Sequence, residues 1–126
     1  MNRKGGTAKT TTVLNLAYSL TLKNKKVLMI DLDSQHNLTD IINLAEDYNK
    51  TSYELFFNAA VNDLIVKTEF DNLDLIPADM RLADIETEID NIKDKELILN
   101  SKLNNRLEYD YILLDIPPAL GYITIN

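Results

Sequence analysis

The sequence has no cysteine among its 126 residues. This absence excludes a disulfide framework, an iron–sulfur cluster, a thiolate zinc site and a cysteine nucleophile. Long hydrophobic runs are also missing, because the longest ones, such as residues 27–30 and 111–114, fall far short of the roughly 18 residues that a membrane span needs. No apolar segment follows the basic residues at the start, so we expect no signal peptide and a cytoplasmic location.

Basic residues are in the minority. The 13 lysines and arginines stand against 20 aspartates and glutamates, which gives a formal net charge of −7. This balance argues against wrapping nucleic acid by charge, and it predicts no binding of this chain to duplex DNA at moderate salt. At 45% hydrophobic residues the composition excludes a disordered acidic tail. The length fits one domain, residues 1–126.

Short apolar runs alternate with helical patterns along the chain. The runs at residues 27–30, 73–76 and 111–114 predict strands, and their continuous apolar character is typical of parallel strands covered on both faces. Apolar residues three and four apart predict helices at residues 10–23, 52–60, 81–92 and 95–107. Residues 61–70 are ambiguous, and a turn plus a short strand is one interpretation. The alternation predicts an α/β fold with a parallel sheet.

A glycine-rich segment near the start carries the strongest chemical signal. The adjacent Gly5 and Gly6 free the backbone so that successive amides can converge on an anion. A helix predicted to begin at Thr10 would add its positive end at the same point. Lys9 would reach the β- and γ-phosphates of a nucleotide, and the Thr10 hydroxyl suits Mg²⁺. The alternative interpretation is a flexible turn beside a basic helix start.

The segment departs from the general phosphate-loop pattern G-x-x-x-x-G-K-[ST]. Arg3 and Ala8 occupy the two glycine positions of that pattern. The residues fit instead a variant, K-G-G-x-x-K-[ST], in which Lys4 stands directly before the glycine pair.

Carboxylates end two of the predicted strands. Asp31 and Asp33 follow the strand at residues 27–30, and Asp115 follows the one at residues 111–114. Ligands bind at the carboxyl ends of strands in α/β sheets, and alternation along an extended chain puts Asp31 and Asp33 on the same side. One could hold a metal-bound water while the other orients an attacking water, and Asp115 suits a second magnesium-directing motif. The alternative for Asp31 and Asp33 is a solvated loop after the strand.

The three segments, in this order, resemble the ParA/MinD group of deviant Walker-type ATPases, and most of all its Soj-like ParA branch. The likeness runs nearly from end to end. It implies a P-loop-type parallel sheet flanked by helices, with ATP and Mg²⁺ as cofactors. It also implies a homodimer when nucleotide is bound, and slow ATP hydrolysis in plasmid or chromosome partitioning. The implied partners of the full-length protein are a centromere-binding ParB-like protein and non-specific DNA.

The resemblance also implies a role for individual residues. Lys9 corresponds to the P-loop lysine, and Lys4 to the lysine that reaches the nucleotide of the partner subunit. Asp33 corresponds to the residue that positions the hydrolytic water. The implied magnesium side consists of Thr10, Asp31 and Asp115. The implied phosphate-binding residues are Gly5, Gly6, Thr7, Ala8, Lys9, Thr10 and Thr11.

Some positions differ from what is common in that family. Ser34, His36 and Leu38 stand where proline, glycine and alanine are common, and we expect His36 to be an exposed loop residue and not a base. Family members begin with a strand before the phosphate loop and continue well past the third motif, so we expect this domain to be incomplete at both ends. The alternatives left open are a non-enzymatic remnant, a MinD-like membrane-surface ATPase and a relative of bacterial tyrosine kinases.

Overall fold

The structure is a computed structural model that describes residues 4–42, 44, 46–57, 59–85, 109–116 and 122–125. For residues 4–9 and 122–125 the description covers the backbone. The helices are α1 (Lys4–Leu22) and α2 (Asn37–Ile41), and the strands are β1 (Val27–Asp31), β2 (Val66–Lys67), β3 (Leu73–Ile76), β4 (Tyr111–Asp115) and β5 (Tyr122–Ile125). Short 3₁₀ helices span Ser52–Phe56, Val61–Asp63 and Met80–Ile85.

The five strands form one mixed sheet in the order β2-β3-β1-β4-β5. β1 is parallel to both of its neighbours, whereas β2 and β5 pair antiparallel at the two edges. The predicted parallel arrangement is therefore confirmed for the three central strands, and the antiparallel edges were not predicted. Parallel neighbours need a crossover of a dozen or more residues, and the chain between β2 and β3, or between β4 and β5, is too short for one.

The central strand β1 is covered on both faces. Val27 and Met29 pack with Val13 and Ala17 of α1 in one cluster. Leu28 and Ile30 pack on the other face, in a second cluster. The residues of β1 are fully buried, which explains why the strand is a continuous apolar run. The second cluster also contains Leu32, Leu55, Val61, Leu64, Ile76, Ile112, Leu114 and Ile116.

Helix α1 begins at Lys4, so the prediction that it starts at Thr10 was wrong. In this structure the backbone of residues 4–9 is helical and does not form a loop. Two glycines usually weaken a helix, but Gly5 and Gly6 lie in its first turn, where the N–H groups have no intrahelical partner in any case. Each further residue adds one hydrogen bond once the helix has started. Among the described residues, no helix is long and apolar enough to cross a membrane.

The remaining element predictions had mixed outcomes. The helix predicted at 52–60 is only a 3₁₀ helix, Ser52–Phe56, which starts at a capping box made by Thr51 and Glu54. The interpretation of 61–70 as a turn plus a short strand is confirmed by the 3₁₀ helix Val61–Asp63 and by β2. The predicted helix at 81–92 begins as the 3₁₀ helix Met80–Ile85, and its remainder lies outside the described residues. The predicted helix at 95–107 also lies outside them.

Candidate functional site

Two carboxylates meet at the carboxyl end of the central sheet. The register of β1 and β4 makes Asp31 and Asp115 direct neighbours at the ends of parallel strands. The N–H of Leu32 donates to the carbonyl oxygen of Asp115 at 2.8 Å, which extends the pairing past β1. Both carboxylates are fully buried. The sheet therefore concentrates two acidic side chains in a region from which bulk water is excluded.

Helix α1 brings Thr10 to the same place. The Thr10 hydroxyl donates to Asp115 Oδ2 at 3.0 Å, and Thr10 is 1% exposed. The residue directly after Lys9 thus lies against the end of β4, 105 positions further along the chain. The resemblance implies that magnesium is bound by Thr10, Asp31 and Asp115. The fold brings these three side chains together.

Burial and like charge both act on Asp31. Desolvation, and then the charge of Asp115, raise the pKa of the Asp31 carboxyl from 3.8 to about 7. Hydrogen bonds from Thr39 and from the N–H of Asp33 act in the opposite direction. A cation placed near the two carboxylates would relieve their repulsion, so the electrostatics of the site favour a positive ligand.

Four donors surround Asp31, and sequence reasoning missed two of the residues that supply them. The N–H and the hydroxyl of Thr39 donate to Asp31 Oδ2 at 3.0 and 2.7 Å. The Asp33 N–H donates to Oδ1 at 3.2 Å, and the Ser52 hydroxyl donates to the Asp31 carbonyl oxygen at 2.5 Å. A hydroxyl residue shortly after an acidic strand end was the available signal for Thr39. Nothing in the sequence pattern links Ser52 to Asp31, because 21 positions separate them.

Asp33 is buried, and only one of its two carboxylate oxygens accepts a hydrogen bond from a described residue. It is 4% exposed, and its Oδ1 accepts the N–H of Gln35 at 3.0 Å. Its Oδ2 is buried and has no hydrogen-bond partner within the described part of the chain. An unpaired buried acceptor costs about 1–3 kcal/mol. Such an atom in a cluster of carboxylates is suited to accept a hydrogen bond from a bound water or ligand.

The predicted phosphate-binding residues before Thr10 are described by their backbone alone. The side chains of Lys4, Thr7 and Lys9 lie outside what the structure describes, and the same holds for Gly5, Gly6 and Ala8 beyond their backbone. Thr11 is exposed on α1.

His36 differs from the expectation of an exposed loop residue. It is half-buried, and its Nδ1 lies 2.9 Å from Asp40 Oδ2. Its φ of 46° lies in the left-handed region, where a glycine carries no steric penalty. This backbone geometry gives a physical reason why glycine is common at this position in the family that the sequence resembles.

A charged cluster lies beside the site, after the end of β3. Arg81 donates to Asp79 Oδ2 at 2.8 Å and to Glu54 Oε1 at 2.7 Å, and its guanidinium lies 4.5 Å from the centroid of the Tyr53 ring. Arg81 and the hydroxyl of Thr51 lower the pKa of Asp79 to about 2. Since these charges pair with one another, the cluster fixes the loop that follows β3.

The residues present fit magnesium. Mg²⁺ prefers oxygen ligands and in nucleotide sites needs one or two carboxylates, the rest coming from water and phosphate. Thr10, Asp31 and Asp115 supply such oxygens, and Asp33 adds an unpaired acceptor. In the described residues no group of three or more histidines, cysteines, aspartates and glutamates has the arrangement of a metal site of its own. The donor set therefore suits a magnesium ion that is shared with a phosphate.

Comparison with known proteins identifies the family of the chain. The AAA domain family matches residues 1–126. The chain belongs to this family. It is 40% identical over 128 residues to the sporulation initiation inhibitor protein Soj of Bacillus subtilis, covering 99% of this chain and 51% of Soj. It is 38% identical to the chromosome partitioning protein ParA of Myxococcus xanthus, covering 99% of this chain and 45% of that protein. The chain spans about half the length of these relatives.

Solved structures show the same fold. The cobyrinic acid a,c-diamide synthase of Mycobacterium smegmatis, solved with an ATP analogue and magnesium, superimposes with a TM-score of 0.74 at 32% identity. The match covers 96% of this chain and 50% of the synthase. The chain is similar both to this synthase and to partition proteins, so the likeness alone does not determine what the chain acts on.

Proposed function

We propose that this chain carries the magnesium-ATP site of a ParA-type ATPase that acts in plasmid or chromosome partitioning through ATP-dependent dimerisation. The observation that carries the proposal is the buried hydrogen bond from Thr10 to Asp115, 3.0 Å long, with Asp31 as the register neighbour of Asp115. A threonine hydroxyl directly after the phosphate-binding lysine and a carboxylate at the end of a strand are the oxygen donors that P-loop enzymes use for magnesium.

Phosphate binding is assigned to the first turns of α1. Lys9 would contact the β- and γ-phosphates, and Lys4 would reach the nucleotide of the partner subunit. Because α1 begins at Lys4, a phosphate cradle requires these turns to rearrange around the ligand. The glycine pair lowers the cost of that change, because glycine adopts backbone conformations outside the helix without a steric penalty. The amides assigned to phosphate are those of Gly5, Gly6, Thr7, Ala8 and Lys9, with the side chains of Thr10 and Thr11.

The acidic residues are assigned to magnesium binding and to positioning of the attacking water. Bound Mg²⁺ would neutralise charge that develops on the phosphate oxygens. Thr10 and Asp115 would hold the ion, with Asp31 behind them in the same buried layer. Asp33 would accept a hydrogen bond from the attacking water through its unpaired Oδ2 and orient that water toward the phosphate.

The partitioning role is supported by the name of the Myxococcus relative, a chromosome partitioning protein. The dimer and the ParB-like partner are part of the same proposal, and they are what the resemblance of the three motifs implies. A lysine supplied in trans by Lys4 would make hydrolysis depend on dimerisation, because the charge around the transferred phosphate is completed only when two chains meet. With a net charge of −7, contact with DNA would require basic surface beyond this chain or on a dimer. A cytoplasmic location is part of the same proposal.

The test is nucleotide binding. Binding of a fluorescent ATP analogue is measured with and without Mg²⁺ in the wild-type chain, in Lys9→Ala and in the matched control Lys25→Ala, whose side chain is exposed after α1. Loss of a charge-assisted contact of about 1.5–3 kcal/mol lowers affinity roughly 10- to 100-fold in Lys9→Ala and leaves Lys25→Ala unchanged. Equal affinity in the two variants would contradict the proposal.

Turnover separates an active enzyme from a non-enzymatic remnant. We expect slow magnesium-dependent ATP hydrolysis in a dimer-forming preparation, and its loss in Asp33→Ala. A preparation that binds magnesium-ATP with no turnover above the Asp33→Ala background supports the remnant instead.

A further inference from the structure

Thr39 connects the end of β1 with the segment that follows β3. Its N–H and hydroxyl both donate to Asp31 Oδ2, at 3.0 and 2.7 Å. The same hydroxyl oxygen accepts the N–H of Ala78 at 2.8 Å. Thr39 is 8% exposed and Ala78 3% exposed, so water competes little for these bonds. A single hydroxyl therefore makes two buried hydrogen bonds to two different parts of the sheet.

The direction of these bonds follows from the groups involved. A backbone N–H only donates, so the lone pair of the Thr39 oxygen must face Ala78. The hydroxyl proton is left for Asp31 Oδ2, which also accepts the Thr39 N–H. A side chain of the same shape without the hydroxyl would leave both the Ala78 N–H and an oxygen of Asp31 short of a partner, and each such loss costs about 1–3 kcal/mol.

We propose that Thr39 is a positioning residue for the metal side of the nucleotide site: it holds the Asp31 carboxylate beside Asp115 and ties it to Ala78. The inference rests on the proposed function, because only that function assigns Asp31 to magnesium. Residues that hydrogen-bond to a metal ligand orient it, and their loss typically weakens metal binding 10- to 100-fold.

The hydrogen bonds of Thr39 join α2, in which it lies, to β1 and to the segment after β3. Asp31 belongs to β1, Thr39 belongs to α2, and Ala78 follows β3. The N-cap residue of α2, His36, makes no side-chain capping bond, so the carboxylate of Asp31 is what accepts an N–H from the first turn of this helix. A shift of α2 relative to the sheet therefore moves the Asp31 oxygen, which makes α2 a means of adjusting the metal side.

Matched variants separate this role from general stability. Thr39→Val removes the hydroxyl and keeps the shape, and Thr39→Ser restores the hydroxyl. The control is Thr68→Val, because the Thr68 hydroxyl also makes a buried hydrogen bond, to the Leu73 carbonyl at 2.6 Å, and accepts the Phe70 N–H at 3.1 Å in a partly buried one. Thr68 is 7% exposed and lies near the opposite end of β3. It therefore reports the cost of losing a buried hydroxyl away from the site.

The first measurement is the apparent affinity for Mg²⁺, obtained by titrating MgCl₂ into each chain with a fluorescent ATP analogue. We expect a 10- to 100-fold loss in Thr39→Val, and less than about threefold in Thr39→Ser and Thr68→Val. Binding of the analogue in EDTA should not change in any of them. Wild-type magnesium affinity in Thr39→Val would overturn the inference even if that variant is less stable.

The second measurement needs no nucleotide. Amide hydrogen exchange followed by NMR should show the Ala78 N–H exchanging at least about tenfold faster in Thr39→Val, with protection restored in Thr39→Ser. An unchanged exchange rate of the Ala78 N–H in Thr39→Val would overturn the inference that Thr39 ties Asp31 to Ala78. Should thermal melting show that Thr39→Val does not fold, Thr39→Ala takes its place with the same expectations. A wild-type chain without magnesium-dependent binding refutes the proposed function and with it the metal role of Thr39, and the exchange still decides whether Thr39 ties β1 to Ala78.

Discussion

The two ends of the central sheet carry polar groups of different kinds. At the carboxyl end, Asp31, Asp33 and Asp115 are between 0% and 4% exposed. At the opposite end, Asp110 and Asn72 are exposed, and both lie in turns next to strands. Burying charge is costly unless the charge is paired, hydrogen-bonded or bound to a metal. The comparison supports the proposal that a cation binds at the carboxyl end.

A cleft in the surface lies at the opposite end of the sheet. Its volume is about 490 Å³, and it is lined by Tyr18, Leu22, Phe70 and Asn72 among others. Its lining also includes two acidic residues, Glu69 and Asp71, which are exposed, and the aromatic pair Tyr18 and Phe70 packs edge to face with centroids 5.6 Å apart. Because the carboxylates at the carboxyl end of the sheet are buried and those in the cleft are exposed, we assign the proposed function to the carboxyl end.

The largest expected effect on magnesium affinity comes from neutralising the acid at the end of β4. Asp115→Asn keeps the size of the side chain but removes the charge that accepts the Thr10 hydroxyl. We expect at least about 100-fold weaker apparent Mg²⁺ affinity, since even loss of a residue behind a metal ligand costs 10- to 100-fold. The measurement is a MgCl₂ titration with a fluorescent ATP analogue.

The matched control for that variant is at the other end of the same strand. Asp110→Asn alters an exposed carboxylate that accepts the Lys26 N–H at 2.8 Å, and it should change magnesium affinity by less than about twofold. Similar losses in both variants would remove the distinction between the two ends.

The next expected effect is on stability. The pKa of Asp31 is raised to about 7 in the folded chain, from 3.8. Between these values the folded chain keeps a proton that the unfolded chain has released, so the free energy of unfolding falls as pH rises from about 4 to 7. Asp31→Asn removes this penalty. Its stabilising effect should start near zero at pH 4, grow with pH and level off above about pH 7 at on the order of 4 kcal/mol.

Urea unfolding of the wild type and of Asp31→Asn at pH values from 4 to 8 measures that difference. Asp110→Asn serves again as the exposed control. A gain from Asp31→Asn that is the same at pH 4 and pH 8 would contradict the assigned cause.

The smallest expected difference concerns the backbone. His36 at the carboxyl end and Asn72 at the opposite end both have positive φ, 46° and 64°. Replacement by valine should cost about 1–2 kcal/mol at either position, because its branched side chain clashes in the left-handed region. Replacement by glycine should change stability by less than about 0.5 kcal/mol.

Urea unfolding of the four single variants tests this expectation. Equal costs at the two positions would mean that backbone strain is common to both ends and that buried charge alone distinguishes them. A cost confined to His36 would instead make strain part of the site.

Apolar runs and acidic strand ends predicted the central sheet well. The strand at residues 73–76 was placed with its observed bounds, because Pro77 stops it and both of its faces are buried. The shared position of Asp31 and Asp115 follows from a rule about parallel strands, so it needed no knowledge of distant contacts. The antiparallel edges β2 and β5 depend on the lengths of short connections, and their residues carry a weak strand signal.

Long-range hydrogen bonds set the limit of prediction at the site. Thr39 lies within the second motif, yet its bond to Ala78 joins residues 39 positions apart, which no local pattern encodes. The start of α1 was misplaced because the glycine pair indicates a loop locally, whereas the helical hydrogen bonds that follow extend the helix back to Lys4.

Ser52 has a consequence for how this fold can vary in length. Its hydroxyl donates to the Asp31 carbonyl oxygen at 2.5 Å, and its N–H donates to the Pro77 carbonyl oxygen at 2.7 Å. Its two hydrogen bonds thus connect the ends of two neighbouring parallel strands. Residues 46–50, just before it, are exposed, so extra residues can be inserted there without disturbing these hydrogen bonds. Insertions directly after Thr51 would separate Ser52 from both strands, so we expect the fold to tolerate changes in length only ahead of this point.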